Sequence, residues 1–191
     1  MKTKVLLFGL FLLVAAAQLY VPTEMIWQNQ NILDTGTMMK FKCEPVDPYD
    51  PFRGKYISLR FANSTIGVKN ANRYQYNQTI YATFKQDTTG YAVMDKIYTA
   101  APKERTDYLE LTVDYSNNYD SIQKISVSYP FDRYYMNEYK APMAEQTYAE
   151  SVNDVKKSVY AEVAISNGTG VIKKVMIDNQ AIEDYVKKQP N

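Results

Sequence analysis

Pro45, Pro48 and Pro51 recur every third residue in the run Pro45-Val-Asp-Pro-Tyr-Asp-Pro-Phe-Arg-Gly54. Each proline fixes its own φ and holds the residue before it extended. Such a run can continue neither a helix nor a sheet ladder, so it reads as a rigid corner. On both sides the chain alternates as a half-buried strand does. Before the corner, Met39, Phe41 and Cys43 share one face and Lys40, Lys42 and Glu44 the other. After it, Ile57, Leu59 and Phe61 face one way and Tyr56, Ser58 and Arg60 the other. Gly54 sits where the corner opens into the strand and permits a close backbone approach.

The same alternation recurs in Ile80–Lys85, Leu109–Tyr115, Ile125–Tyr129 and Val159–Ile165, and Tyr91–Tyr98, after the turn Asp87-Thr-Thr-Gly90, reads as the partner strand of Ile80–Lys85. Asn167-Gly-Thr-Gly170 is a hairpin signal, with Val171–Ile177 as the returning strand. Ala62–Gln78 is polar and Asn-rich and reads as a long loop or an irregular edge. Residues 143–152 read as a helix, with Pro142 in its first turn. Ile182–Lys188 fits a short helix or a strand. The fold class expected is mainly β, a β-rich α+β arrangement. An N-terminal membrane helix is followed by an exported antiparallel β domain with one short helix.

Lys2 and Lys4 precede an apolar run from Val5 to Val21, broken only by Gln18 near its end. Two readings fit. A secretory signal would be cut near Ala17, where Ala15 and Ala17 supply the small residues. A signal anchor would be retained, with Gln18 and Tyr20 at headgroup level. Both keep the lysines inside and export the rest; the anchor is the reading taken. Asn-x-Ser/Thr sequons at Asn63, Asn77 and Asn167 carry meaning only in a eukaryotic secretory pathway. The expected organisation is a membrane helix over 1–22 and a juxtamembrane helix over 23–35 with Trp27 near the interface. A β subdomain over 36–130 and a smaller α+β subdomain over 131–191 then follow, the change marked by Pro130.

Composition narrows the chemistry. Histidine is absent and Cys43 is the sole cysteine, so His-based catalysis, an internal disulfide and Cys- or His-rich metal sites are excluded. Cys43 could be a reactive thiol, but its apolar neighbours make it a small buried hydrophobe. The formal net charge is +1, and no basic patch is interleaved with aromatics, so nucleic acid is not an expected partner. Tyrosine is abundant, 18 residues against one tryptophan, which suits half-buried strands and binding faces alike. Asp47, Asp50 and Glu138 are the carboxylates worth naming, although Asp before Pro is ordinary turn chemistry. Arg53 could tie Asp47, Asp50 and loop carbonyls together, or recognise an anionic group. Glu138, after Tyr134 and Tyr135, is its natural distant counter-charge. No catalytic residue, metal ligand or cofactor is assigned.

Arg53-Gly-Lys-Tyr-Ile-Ser-Leu-Arg-Phe61 resembles the motif of the GDYXXLXY family of membrane-anchored bacterial proteins. Gly54, Tyr56 and Leu59 match it. Lys55 replaces its Asp and Phe61 its final Tyr. The proline-rich lead-in, the N-terminal helix with Pro22 and Met25-Ile-Trp27, and the block Tyr134-Tyr-Met-Asn-Glu138 with Tyr135 extend the resemblance along the chain. It implies a retained anchor and a complex with an integral membrane protein, and it brings no established activity. Lys55 implies that the motif is mostly architectural. The expected function is a non-catalytic accessory or binding subunit at the outer face of a bacterial inner membrane, its oligomeric state left open. The alternatives are an extracytoplasmic hydrolase using carboxylates or a Ser–Lys pair, and a cell-wall glycan-binding domain.

Overall fold

A computed structural model describes residues 2–45, 56–117 and 123–187 of the chain. The corner expected at Pro45–Gly54 lies, after Pro45, outside the described residues. The chain opens with one helix, α1 (Lys2–Thr35), which is long and apolar enough to cross a membrane. The membrane and juxtamembrane segments are therefore continuous, with Pro22 inside the helix. Pro22 has no N–H to donate, and the Thr23 hydroxyl donates to the Leu19 carbonyl at 2.8 Å beside it.

Gly36 alone separates α1 from the first strand. Its N–H donates to Ile32 O at 2.8 Å and closes the helix. A Cβ at this position would lie 2.5 Å from Ile32 O and 2.9 Å from Ile165 O. Only glycine lets the helix end press against the sheet this closely.

Strands β1 (Thr37–Glu44), β2 (Tyr56–Ser58), β3 (Arg60–Phe61), β4 (Thr65–Gly67), β5 (Thr79–Gln86), β6 (Ala92–Tyr98), β7 (Tyr108–Asn117), β8 (Lys124–Ser128) and β9 (Arg133–Tyr135) follow. Helix α2 (Ala141–Asn153) leads to β10 (Val159–Ser166), β11 (Thr169–Ile177), β12 (Gln180–Ala181) and helix α3 (Ile182–Lys187). One five-stranded sheet has the order β12-β11-β10-β1-β3, a second β4-β8-β7-β5-β6, and β2 pairs with β9 alone. All of these strand pairs are antiparallel. Strands from either side of Pro130 share sheets: β1 pairs with β10, and β2 with β9.

The core follows from the alternation. Met39, Phe41 and Cys43 of β1 are buried, as are Ile57, Leu59 and Phe61. Phe41 is central, with ring centroids 5.2 Å from Phe84, 5.5 Å from Phe131, 5.6 Å from Tyr129 and 5.7 Å from Phe61. The edge-to-face geometry of these contacts suits the ring quadrupoles. This cluster joins the two sheets, because Phe41 belongs to the first and Phe84 to the second. Helix α2 adds Ala144 and Tyr148, and α3 adds Ile182 and Val186.

Both tight hairpins obey the turn rules. Asn167 and Gly168 have φ of 48° and 87°, the two positive values that a type I′ loop requires. Asp178 and Asn179, at 49° and 64°, repeat the device between β11 and β12. Three elements settle what the sequence left open. The ambiguous tail resolves as α3, a second short helix where one was expected. Ala62–Gln78 is the irregular edge: β4 borders the second sheet beside β8, and a 3-10 turn follows at Ala71–Arg73. Arg133–Tyr135 is a strand: β2 offers it a partner from the other half of the chain, which local pattern could not show.

Candidate functional site

The described members of the nominated set fall into two groups. Leu59 and Phe61 are core residues, 6% and 3% exposed. Leu59 N also donates to Asp132 O at 2.8 Å, fixing this strand to the segment before β9. Phe61 meets Tyr129 and Phe131 edge to face, with ring centroids 5.2 Å and 5.4 Å away. The second group faces outward. Tyr56 stands directly opposite Tyr135 in the β2–β9 pair, with ring centroids 5.5 Å apart. Tyr135 is 66% exposed. Glu138 lies exposed in the turn before α2. Asp47, Asp50, Arg53 and Gly54 lie outside the described residues.

The structure adds Arg133, which sequence reading passed over. Its guanidinium lies 5.1 Å from the centre of the Tyr56 ring, a cation–π contact. A hydrogen bond to Tyr135 is the leading reason that its pKa rises above the ordinary arginine value, followed by Tyr56 and Asp132. Arg133 Nε is 3.7 Å from Asp132 Oδ1. Half-buried Tyr56, exposed Tyr135 and exposed Arg133 thus form one small platform on β2 and β9. The alternation Arg133-Tyr134-Tyr135 was the available signal, masked by the turn chemistry of Pro130.

Tyr134 points the opposite way, into the core. Its hydroxyl donates to Glu183 of α3 in a short hydrogen bond. Burial first, and Glu183 second, push this phenol above its usual range. The β2–β9 pair therefore has a structural inner face and an open outer face.

Comparison with known protein families decides what kind of chain this is: residues 18–175 match the family described as GDYXXLXY protein. The chain belongs to the GDYXXLXY family. Within that family's motif, the structure assigns Leu59 and Phe61 to packing and Tyr56 to the exposed platform. The match begins at Gln18, so the apolar run before it lies outside the shared region. No curated protein and no solved structure matches the chain.

Proposed function

We propose that this GDYXXLXY protein is a non-catalytic accessory or binding subunit at the outer face of a bacterial inner membrane. Its N-terminal helix is kept as an anchor, its β domain is periplasmic, and an integral membrane protein is its partner. One observation carries the anchor. Beyond Ala17, where a signal would be cut, α1 still exposes a long apolar surface. Leu19 is 71% exposed, Ile26 70% and Trp27 69%, with Tyr20, Val21 and Met25 also open. Cleavage would leave these side chains in water, at a cost proportional to their apolar area. Retained, the helix uses them. A bilayer core of about 30 Å takes about 20 residues, which sets Met25–Trp27 at the interface that tryptophan favours. Lys2 and Lys4 then stay on the cytoplasmic side.

The test is purification of the full-length protein from its native membrane in mild detergent, with intact-mass measurement. The expected mass includes Met1–Val21, with a polytopic protein present in stoichiometric amount. A mature chain that begins near Gln18 and emerges alone would overturn the proposal.

The Tyr56–Tyr135 platform favours one second reading, a face for cell-wall glycan, because the exposed Tyr135 ring, backed by half-buried Tyr56, offers a face on which a sugar can stack. Retention of the protein on purified sacculi, lost in Tyr135→Ala, would support it; equal retention of both forms would reject it.

A further inference from the structure

Strand β7 loses its neighbour half-way along. Thr112 pairs with Ser128, but one step further β8 would have to continue through Pro130, which has no N–H for the ladder. The chain leaves the sheet there. The edge of β7 is taken over by the tip of the β10–β11 hairpin. Asn167 N donates to Thr106 O at 2.6 Å, Gly168 N to Tyr108 O at 2.9 Å, and Glu110 N to Gly168 O at 2.8 Å. The two replacements do not meet. Between Ser128–Pro130 and Asn167–Thr169 lies a cavity of about 310 Å³, floored by Glu110 and Thr112. Its walls are backbone hydrogen-bonded, so the opening is built in before any ligand arrives.

The lining decides the ligand class. It holds the Glu110 carboxylate, the hydroxyls of Thr112, Ser128 and Thr169, and the Asn167 amide, but neither lysine nor arginine. Ser128 Oγ donates to Asp114 Oδ2 at 2.6 Å, which leaves its lone pairs as acceptors and sets a second carboxylate beside the groove. Among the described residues, no side chain pairs with the Glu110 carboxylate. Pro130 supplies an apolar flank.

We infer that this groove binds a small polyhydroxylated ligand carrying a protonated amine, of the amino-sugar class. The amine meets Glu110. The hydroxyls meet Thr112, Ser128, Thr169 and Asn167, and the C–H face of the ring lies on Pro130. The volume sits at the small end of ligand pockets, which run from about 300 Å³ upward, so one ring is the natural occupant. The inference is independent of the anchor, and the intact-mass result does not bear on it.

The experiment is calorimetric titration of the full-length protein in detergent with glucosamine, glucose and N-acetylglucosamine. Glucosamine is expected to saturate one site, and both neutral sugars to bind at least about tenfold more weakly, since they lack the charge-assisted bond. Glu110 is exposed, so Glu110→Gln should melt as wild type yet bind glucosamine no better than glucose. Thr112→Lys, which places a cation on the groove floor, should remove glucosamine binding. The inference is overturned by equal affinity for the three sugars, by absence of saturation with glucosamine, or by unchanged binding in Glu110→Gln.

Discussion

The ring of Phe131 packs directly on the backbone of Gly170. A Cβ at that glycine would fall inside van der Waals contact with two ring carbons, and 3.0 Å from Leu109 Cδ2. The ring cannot retreat, because Phe41, Phe61 and Tyr129 stand around it at 5.4–5.5 Å between centroids. Gly170→Ala should therefore destabilise the domain by about 1–3 kcal/mol, the usual range for overpacking. Urea denaturation measures it, and an unchanged midpoint would show that this contact yields freely.

The residues that carry the family resemblance, in the motif and in the block around Tyr135, should split into two classes under mutation. Leu59→Ala removes a buried side chain and is expected to cost about 2–5 kcal/mol. Tyr135→Ala removes an exposed cross-strand ring and should cost no more than about 1 kcal/mol. Thermal melts of the two variants compare them directly. Similar losses would mean that the outer face of the β2–β9 pair is structural too.

Gly36 should tolerate no side chain. The atoms a Cβ would meet are carbonyl oxygens of α1 and β10, and backbone does not swing aside as a side-chain tip does. Gly36→Ala should lower the melting temperature, by an amount equivalent to about 1–3 kcal/mol. A melt equal to wild type would show that the helix can rotate off the sheet at no cost.

Cys43 makes stability fall at alkaline pH. Burial pushes its thiol from 9.0 up to about 12, against the smaller opposing effects of Tyr148 and the Ala161 backbone. The unfolded thiol starts to ionise near 9.0 while the folded one holds its proton, so stability declines as pH rises from 9.0 towards about 12. Buried Tyr129, Tyr134 and Tyr148 are pushed up from 10.0 and add to the decline above that value. Melting curves across this window should slope downward, and Cys43→Ala should flatten the first part. The native thiol should also stay silent to a disulfide reagent at about pH 8 and react once denaturant is added. Rapid native labelling would place the thiol at the surface.

Much of this fold was legible because burial writes itself into a strand with period two. Thr37–Glu44 shows it plainly, since Met39, Phe41 and Cys43 had to share a face and do. Asn167-Gly168 announced its turn because few other pairs accept two positive φ values. Arg133–Tyr135 was harder, being a short strand whose partner, Tyr56–Ser58, is remote in sequence. The Tyr56–Arg133–Tyr135 platform depends on that pairing and could not be assembled from local pattern. The Glu110 groove was hidden for a related reason. Its residues are ordinary outward positions of good strands, and they become a cavity only because Pro130 turns one strand away and a distant hairpin fills part of the gap.

Strand β1 lies inside its sheet, between β3 and β10. All five strands of the second sheet lie between it and β10 in the chain. A growing chain must therefore carry β1 without its longer pairing partner until Val159–Ser166 has emerged. The sheet is complete only once the β10–β11 hairpin is available, and non-local pairing of this kind is slow and prone to aggregation. A nascent chain cut short before Val159 would present an open, apolar strand one residue from a membrane-length helix, which is the kind of surface that chaperones and quality-control proteases engage.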